Sequence, residues 1–511
     1  MKKVFYILCS LLFGSSMLIA KQVVQIKSGK VAGIATPDGQ VVSYKGIPFA
    51  APPVGDLRWK APQPVKPWEG VKECTAFGPS PMQGKPAPFS MWSQEFLIPE
   101  EPISENCLYL NVWTGAKSPK EKRSVLVWIY GGGFQSGGSG VPIYDGEAMA
   151  RKGIVFVSIN YRVGVFGFLA HPELTKESPN SASGNYGLMD QVAALKWVKE
   201  NIAAFGGDPD NVTIAGQSAG SMSVNCMVAT PLAKGLFNKA IAESGASFGR
   251  NQQALAPSEE AGVAFAKSLG ATGLADLRKL SPQELMKGQL GIRGPIIDGF
   301  VLPQHIADIF AEGKENPVDL LTGWNQDEGL LFGPVKNATD FETQINQQYG
   351  SNAGKVLTYY PASDDAEAAQ SQLDLSRDMI FGLQNYAWAN VQAKQGRTSV
   401  YVYRFTRKVP GTGEYAKYGA FHTGEVPYAY DNLEFVDRPW EAVDRKLEAT
   451  MSTYWANFVK TGNPNATGLP EWPIYKPDSQ QVMLLGTKAE AKPIADGEAL
   501  DTMTAILSAN K

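Results

Sequence analysis

A short apolar segment runs directly into the pattern Gly-x-Ser-x-Gly, which residues 216–220 form around Ser218. A serine at a sharp turn between a strand and a helix has a strained backbone, and the glycines keep Cβ atoms out of the bend. Such a turn exposes the hydroxyl above the sheet and aims the backbone N–H of Ala219 at the same point. The pattern predicts that Ser218 is a nucleophile, although a chain with 52 glycines can contain this pentapeptide by chance.

A glycine triplet at residues 131–133 follows the predicted buried strand at residues 124–130. Three glycines leave backbone N–H groups uncovered and let a substrate approach the chain closely. A flexible turn without function is the alternative, but the strand, the triplet and the serine pattern occur in the order that a hydrolase site requires. We therefore predict an oxyanion hole formed by the N–H groups of Gly132, Gly133 and Ala219.

The chain contains three histidines, which limits the choice of a general base. In this arrangement the nucleophile, the acid and the base occur in that order along the chain. His171 precedes Ser218, and His305 precedes the candidate acid described below. His422 remains, in a loop after the predicted strand at residues 399–405. An exposed loop histidine without a role is the alternative, and the chain order disfavours it.

The hydrophobic pattern around these residues predicts an α/β fold. Residues 154–160 are rich in β-branched and aromatic types, which is typical of a buried central strand. Residues 187–202 carry apolar side chains at helical spacing, and the next strand leads to Ser218. A strand, a helix and a second strand in this order form a βαβ unit, so the sheet is predicted to be parallel.

Further helices account for the length of the chain. Residues 246–321 and 341–396 are predicted to be mainly helical, and we interpret them as insertions over the sheet that build a substrate gorge. A long amphipathic helix is predicted at residues 441–460 and a last helix near residues 497–509. With 511 residues, the chain is interpreted as residues 1–20 followed by one hydrolase domain over residues 21–511.

Composition narrows the class of protein. The chain is 44% hydrophobic and 19% charged with a formal net charge of −3, which is ordinary for a soluble globular protein. It has no basic excess, so nucleic-acid binding is not expected. Residues 1–20 have a basic start, an apolar centre and a small-residue end, which predicts a signal peptide and a secreted or periplasmic protein. A membrane anchor is the alternative, but the apolar run is short for a bilayer.

Cysteine usage leaves two possibilities open. Removal of Cys9 with the signal leaves Cys74, Cys107 and Cys226, an odd number for an oxidising compartment. Cys74 and Cys107 can pair across a loop rich in proline and aromatic residues, with Cys226 as a buried thiol. Alternatively, Cys74 and Cys107 are also free and buried.

Two segments resemble the signatures of a known family. Residues 205–220 fit the serine signature of the type B carboxylesterases, and residues 105–112 fit their second signature except at Asn106. The similarity extends from residue 46 to residue 464. This family includes the para-nitrobenzyl esterases and, more remotely, the cholinesterases. It implies an α/β-hydrolase fold with a central, mostly parallel sheet flanked by helices, and helical insertions over the active site.

The resemblance also assigns residues. It places the acid in the motif at residues 325–329 and identifies it as Glu328, not Asp327. A carboxylate at the end of a strand can accept the Nδ1–H of a histidine and fix its tautomer. The context of His422 matches the H-x-x-E pattern of the family. The family pattern also suggests Cys107 as half of a disulfide, for which Cys74 is the available partner.

The implied activity is that of a secreted serine carboxylesterase. Ser218 would form an acyl-enzyme with His422 as base and Glu328 as orienting acid, and no metal or organic cofactor would be needed. The substrate would be a small-molecule or carbohydrate ester, and a polysaccharide-directed acetyl or feruloyl esterase is an alternative. A non-catalytic binding or adhesion module is the alternative of another class, and the complete set of site residues disfavours it.

Substrate specificity and oligomeric state are not disclosed by the sequence. The aromatic residues Trp92, Trp324, Phe134 and Phe421 are candidates either for lining a pocket or for packing. Gln217 stands where the cholinesterases have an acidic residue, which argues against a cationic substrate.

Overall fold

The structure of the protein is a computed structural model that describes residues 21–249, 252–331 and 336–509. The predicted signal peptide, residues 1–20, lies outside the described residues. The strands of the described ranges are β1 (Lys21–Ile26), β2 (Gly29–Ala35), β3 (Val42–Pro48), β4 (Val71–Glu73), β5 (Ser80–Pro81), β6 (Ile103–Ser104), β7 (Tyr109–Thr114), β8 (Arg123–Ile129), β9 (Val155–Ile159), β10 (Gly207–Gln217), β11 (Lys239–Glu243), β12 (Asp319–Asn325), β13 (Val400–Phe405), β14 (Gln481–Leu485) and β15 (Ala489–Pro493).

One mixed sheet contains all of these strands except the short pair β5 and β6. Its neighbours follow the order β1-β2-β3-β7-β9-β8-β10-β11-β12-β13-β14-β15, with β4 beside β2. Every adjacent pair from β9 to β14 is parallel, whereas β1, β2, β3, β7 and β15 join by antiparallel pairing. The carboxyl ends of β8, β10, β12 and β13 therefore meet at one edge of the sheet, where ligands bind in open α/β sheets.

The central strands are apolar runs without polar alternation. β8 and β9 are buried at nearly every position. Continuous burial is expected where helices cover a parallel sheet. The strands predicted at residues 124–130 and 154–160 are confirmed, and so is the α/β class with its mostly parallel sheet.

Helices surround the sheet and make up most of the second insertion, residues 341–396. The first insertion, residues 246–321, was predicted to be mainly helical, but less than half of it is helix and residues 286–305 contain none. The helices of the described ranges are α1 (Glu147–Arg151), α2 (Gly164–Phe168), α3 (Pro172–Glu177), α4 (Tyr186–Asn201), α5 (Ala219–Ala229), α6 (Leu255–Ser268), α7 (Leu274–Lys279), α8 (Pro282–Leu285), α9 (Ile306–Ala311), α10 (Ala338–Tyr349), α11 (Ala353–Tyr359), α12 (Asp365–Arg377), α13 (Leu383–Gln395), α14 (Val426–Ala429), α15 (Ala442–Thr461) and α16 (Gly497–Ala509).

The longer helices agree with the hydrophobic periodicity. The helices predicted at residues 187–202, 441–460 and 497–509 correspond to α4, α15 and α16. α4 and α5 pack against β10, and α13 packs against β12 and β13. No helix in the described ranges is long and apolar enough to span a bilayer.

The cysteines differ from the predicted pairing. Cys74, Cys107 and Cys226 are all buried and unpaired, so the predicted disulfide between Cys74 and Cys107 is wrong. Burial raises the pKa of the Cys74 thiol to about 11 and that of the Cys226 thiol to about 12, which keeps both protonated at neutral pH. All three side chains act as small apolar groups in the core.

The register along β3 explains why the two cysteines do not pair. The carbonyl of Cys74 accepts the N–H of Lys45, whereas the carbonyl of Leu108, the residue after Cys107, accepts the N–H of Phe49. Cys74 thus contacts β3 within the bulge between Tyr44 and Ile47, whereas the segment of Cys107 contacts the chain beyond the bulge. The two cysteines attach at different positions along this strand, and no disulfide joins them.

Candidate active site

The backbone at Ser218 is strained. Ser218 lies between β10 and α5 with φ 59° and ψ −125°, a region that non-glycine residues rarely adopt. A Cβ on Gly216 would come within 2.5 Å of the backbone of Gly220 and 2.7 Å of the carbonyl oxygen of Ile129. A Cβ on Gly220 would overlap the same carbonyl oxygen. The two glycines of the pattern therefore permit the close crossing of β8, β10 and α5, which leaves Ser218 half-buried at the edge of the sheet.

The glycine triplet lies directly beside this turn. A Cβ on Gly131 would come within 3.0 Å of the Ser218 Cβ. Gly132 and Gly133 follow with φ 111° and 62°, in the region that glycine favours, and both are exposed. In the part of the chain that the structure describes, the N–H groups of Gly132 and Gly133 have no protein acceptor. The structure thus places uncovered donors next to the predicted nucleophile.

The helix α5 supplies a further donor. Ala219 is its first residue, and the first N–H groups of a helix have no intrahelical acceptor. The N–H of Ser218 itself donates to the carbonyl of Glu243 at the end of β11, at 2.9 Å. This bond attaches the turn to the neighbouring strand, so the orientation of the Ala219 N–H is determined by the sheet.

Glu328 and His422 are brought together from loops that follow β12 and β13. Nδ1 of His422 lies 2.6 Å from Oε1 of Glu328, and both side chains are buried, with Glu328 fully so. The second carboxylate oxygen of Glu328 accepts the backbone N–H of Asn325 at 2.9 Å. Glu328 therefore holds the imidazole by Nδ1, which leaves Nε2 on the other side of the ring.

The neighbouring acid makes a different contact. Oδ2 of Asp327 accepts the backbone N–H of Ala420 at 2.6 Å, in the loop that carries His422. Asp327 is partly exposed, whereas Glu328 is not. Of the two adjacent carboxylates, Glu328 is the one that contacts the histidine ring.

Two further carboxylates lie behind the site, and sequence reasoning did not find them as a cluster. Glu425 hydrogen-bonds to the side chain of Asn325, and burial raises the pKa of its carboxyl well above the ordinary range, with the charges of Glu243 and Glu328 adding to the effect. Glu243 accepts the hydroxyl of Tyr430 at 2.9 Å, and burial raises the pKa of its carboxyl to about 7. The site is therefore backed by acids that hold protons more tightly than exposed carboxyls do.

The other contacts of the His422 ring were also missed. Phe381, in the π-helical turn Asp378–Gly382 of the second insertion, stacks on the ring with centroids 4.3 Å apart. The amide nitrogen of Gln217 lies 3.2 Å from Nε2 and 3.3 Å from Nδ1. Within the described residues, the hydrogen-bond partners of the ring are Glu328 and Gln217, and the Ser218 hydroxyl is not among them. No local pattern marks Phe381, because its contact spans the fold.

The candidate aromatic residues have different environments. Trp324 and Phe421 are fully buried, and Phe134 is 5% exposed and packs edge-on against Phe168, so these three belong to the core. Trp92 is only partly buried and its ring is 6.3 Å from that of His422. Trp92 is thus the member of the set that lies at the site.

Comparison with known proteins agrees with this geometry. Residues 20–503 match the model of the carboxylesterase family. Fumonisin B1 esterase of Sphingopyxis macrogoltabida is 36% identical over 498 residues, 94% of this chain and 88% of that protein. Para-nitrobenzyl esterase of Bacillus subtilis (strain 168) is 37% identical over 492 residues, 91% of this chain and 95% of that protein. Liver carboxylesterase 1 of Oryctolagus cuniculus is 33% identical over 531 residues, 94% of this chain and 92% of that protein.

The matches span nearly the whole described chain, and the relatives are esterases from bacteria and a mammal. The resemblance to the type B carboxylesterases and the α/β-hydrolase fold that it implied are confirmed. The chain belongs to the carboxylesterase family and is a carboxylic ester hydrolase.

Proposed function

We propose that this hydrolase acts through an acyl-enzyme on Ser218, with His422 as general base and Glu328 as the acid that orients it. The observation that carries the proposal is the 2.6 Å contact between Glu328 Oε1 and His422 Nδ1, beside a strained serine at the carboxyl edge of the sheet. A buried carboxylate on Nδ1 fixes the proton there and leaves the lone pair of Nε2 for the nucleophile.

The reaction would proceed in two halves. Nε2 of His422 takes the proton from the Ser218 hydroxyl as the oxygen attacks the ester carbonyl carbon, and it then returns the proton to the leaving alcohol. In the second half, a water molecule gives a proton to His422 and attacks the acyl group, and the acid product leaves as Ser218 recovers its proton. Glu328 stabilises the imidazolium in both halves.

The oxyanion of each tetrahedral intermediate would be bound by the N–H groups of Gly132, Gly133 and Ala219. These donors are uncovered and lie beside Ser218, so they need no rearrangement as charge develops. Removal of one such donor typically costs about 10²–10³-fold in turnover. We assign no metal to this chemistry, because the charge is stabilised by the backbone.

The test is hydrolysis of p-nitrophenyl esters from acetate to long acyl chains by the protein and by Ser218→Ala. We expect turnover of short esters by the native protein and a loss of at least about a thousandfold in the variant. Equal rates for the two proteins would contradict the assignment of the nucleophile.

The same ester series addresses the substrate class. We propose that the site takes uncharged esters, because Gln217 places a neutral amide against His422 where an acidic side chain would favour a cation. Acetylated and feruloylated sugars belong in the series, since a preference for them over simple esters would support the polysaccharide-directed alternative. A preference for quaternary ammonium esters would contradict the proposal.

We further propose that the protein is exported, on the basis of the basic and apolar residues 1–20. The mass of the mature protein recovered from an exporting host is expected to correspond to a chain that begins near Lys21. A mass that includes Met1 would contradict export by cleavage.

A further inference from the structure

Asn325 is the last residue of β12, and both its backbone and its side chain contact the site. Its backbone N–H donates to Oε2 of Glu328 at 2.9 Å. Its side-chain nitrogen, Nδ2, donates to the backbone carbonyl of Phe421 at 2.8 Å and to Oε2 of Glu425. Asn325 is fully buried, so solvent does not compete for these hydrogen bonds.

The partners of the Asn325 amide determine its orientation. A backbone carbonyl has no proton, so the amide atom that faces Phe421 can only be the nitrogen. An NH₂ group has two protons, and the second acceptor is the carboxyl group of Glu425. Both donors are therefore used, and Oδ1 has no hydrogen-bond partner among the described residues. Exchange of the nitrogen and the oxygen would place acceptor against acceptor at both contacts.

The two acceptors flank the proposed base. Phe421 directly precedes His422, and Glu425 follows it by three positions. The carbonyl of Phe421 also accepts the N–H of Gly424 at 2.9 Å, which closes a turn around the histidine. The NH₂ group of Asn325 thus holds both ends of the turn that carries His422.

Asp327 joins the same two loops at a different position. Its backbone N–H donates to the carbonyl of Ala420 at 3.0 Å, and its Oδ2 accepts the N–H of Ala420 at 2.6 Å. These bonds keep the loops adjacent, but they involve neither the Glu328 carboxylate nor the turn at residues 421–425. Within the described residues, Asn325 is the residue outside this turn that bonds both to it and to Glu328.

We propose that Asn325 is a positioning residue that sets the contact between Glu328 and His422, because its backbone N–H holds the acid while its NH₂ group holds the turn of the base. The two proposed catalytic side chains come from loops after different strands, and Asn325 links these loops at the site itself. The inference rests on the proposed roles of Glu328 and His422.

The charges around this contact are independent of Asn325, which is itself neutral. Loss of its hydrogen bond to Glu425 favours the protonated form of that carboxyl, because the bond lowers its pKa. Removal of the NH₂ group therefore adds no charge beside His422. The other ionisable side chains that interact with the carboxyl groups of Glu328 and Glu425 are Tyr403, Arg404 and Glu243.

The first experiment compares the native protein with Asn325→Leu on a short p-nitrophenyl ester. Leucine has nearly the shape of asparagine and keeps the backbone N–H for Glu328, but it lacks the NH₂ group. Since a misplacement of about 1 Å can cost about 10²-fold, we expect kcat to fall by roughly 10–100-fold with little change in KM. The acid limb of the kcat/KM profile should move to lower pH, because a carboxylate held less closely stabilises the imidazolium less.

Asn316→Leu is the matched control. Nδ2 of Asn316 also donates to backbone carbonyls, those of Met227, Val228 and Thr230, at 3.0–3.2 Å. They lie at the carboxyl end of α5, roughly 15 Å from Ser218 at the rise of a helix. Asn316→Leu should lose stability in denaturant unfolding but keep the native kcat and pH profile. Equal losses of kcat in the two variants would overturn the inference.

A second measurement observes the contact directly. The proton on Nδ1 of His422, bonded to the buried Glu328 carboxylate, is expected to give a proton NMR signal far downfield that is absent from His422→Gln. The signal should shift or broaden in Asn325→Leu and stay unchanged in Asn316→Leu. An unchanged signal in folded Asn325→Leu would show that Asn325 does not set the contact.

A third experiment reverses the donor and the acceptor. Asn325→Asp places a carboxylate against the Phe421 carbonyl and Glu425, so kcat should fall at least as far as in Asn325→Leu. When Glu425→Gln is added to Asn325→Asp, the amide at residue 425 can donate to the carboxylate at residue 325. We expect kcat to recover by about tenfold, the equivalent of one hydrogen bond. No recovery in the folded double variant would contradict the inference, and Asn325→Leu remains informative if these proteins do not fold.

The outcomes separate this inference from the proposed function. If the native protein and Ser218→Ala are equally inactive on all esters, the proposed function fails. If the native protein is active and Ser218→Ala is not, but folded Asn325→Leu keeps the native kcat and the native acid limb, the proposed function stands and Asn325 does not position the pair.

Discussion

The carboxylate of Glu328 has both oxygens occupied inside the protein. One lies against Nδ1 of His422, and the other accepts the backbone N–H of Asn325. A fully buried carboxylate with two such partners is fixed in position and is not screened by solvent. Geometry therefore makes Glu328 the carboxylate that contacts His422, whereas Asp327, its neighbour in the sequence, contacts the backbone of Ala420.

Glu328→Gln is expected to lower kcat by roughly 10³–10⁴-fold on short esters, because an amide at this position removes the negative charge that stabilises the imidazolium. The protein should remain folded, since glutamine has nearly the same shape. Steady-state kinetics and circular dichroism check both statements.

Asp327→Asn is the matched control for this prediction. It also replaces a carboxylate by an amide, one residue away, but Asp327 contacts the backbone N–H of Ala420 and not the ring of His422. Its loss of kcat should be much smaller than that of Glu328→Gln. A larger loss of kcat in Asp327→Asn than in Glu328→Gln would identify Asp327 as the orienting acid.

At the scale of elements, the site depends on how closely α5 crosses the sheet. The turn at Ser218 brings the first residues of α5 onto the carbonyl group of Ile129 at the end of β8. The atoms around Gly216 and Gly220 are backbone atoms, so no side chain can rotate away to make room. The proposed nucleophile, its helix and the glycine triplet therefore pack closely as one unit.

Gly216→Ala is expected to disrupt this unit, because its Cβ would lie 2.5 Å from the backbone of Gly220. We expect a loss of about 3 kcal/mol or more in the free energy of unfolding. Activity of any folded fraction should fall by at least about a hundredfold, because the serine is displaced. Denaturant unfolding and ester hydrolysis measure the two effects.

Gly354→Ala provides the same chemical change in open space. Gly354 lies in α11, is exposed, and an added Cβ would have no atom within 4 Å. Alanine favours a helix over glycine by up to about 1 kcal/mol, so stability should stay level or rise and activity should not change. Equal damage by both substitutions would show that crowding at residue 216 is not the cause.

At the scale of the whole molecule, buried carboxyl groups form hydrogen bonds between the site and the surrounding core. Glu243 ends β11, lies beneath the site, and bonds to Tyr430 at 2.9 Å and to the indole of Trp455 in α15 at 2.7 Å. Its other oxygen has no hydrogen-bond partner among the described residues. Burial raises the pKa of the Glu243 carboxyl from 4.5 to about 7, although the hydrogen bonds from Trp455 and Tyr430 act in the opposite direction.

This shift predicts how stability depends on pH. The folded protein keeps the Glu243 proton over a pH range in which the unfolded chain releases it. The stabilisation of the folded state by this proton is therefore complete below about pH 4.5 and is lost as pH rises to about 7. The free energy of unfolding should fall across this window by at least about 1.4 kcal/mol, the value of one pH unit. Glu243→Gln should show a smaller fall, because glutamine keeps the acceptor for Tyr430 and does not titrate.

Denaturant unfolding at several pH values between 4.5 and 8 measures how the free energy of unfolding changes with pH in the native protein and in Glu243→Gln. Glu69→Gln is a suitable control, because it makes the same change at an exposed position and should retain the native slope. A Glu243→Gln slope equal to the native one would show that Glu243 does not hold its proton in the folded state.

The sequence alone determined the parts of this protein that depend on local backbone constraints. The glycines around Ser218 and the triplet before Phe134 mark positions where a larger residue does not fit or the backbone favours glycine. The apolar runs of β8 and β9 are typical of a buried parallel sheet. The order of the three histidines narrowed the base to His422. The choice of Glu328 came from the family pattern, because an acidic pair has no local feature that separates its two members.

The tertiary structure alone decided which side chains meet. The pairing along β3 keeps Cys74 and Cys107 apart, and the insertions bring Phe381 onto the His422 ring. Gln217 and Thr423 are 206 positions apart and Trp92 and Thr423 are 331 apart, yet their side chains touch. Such contacts result from the packing of distant loops at one edge of the sheet, and neither spacing nor hydrophobic periodicity carries information about them.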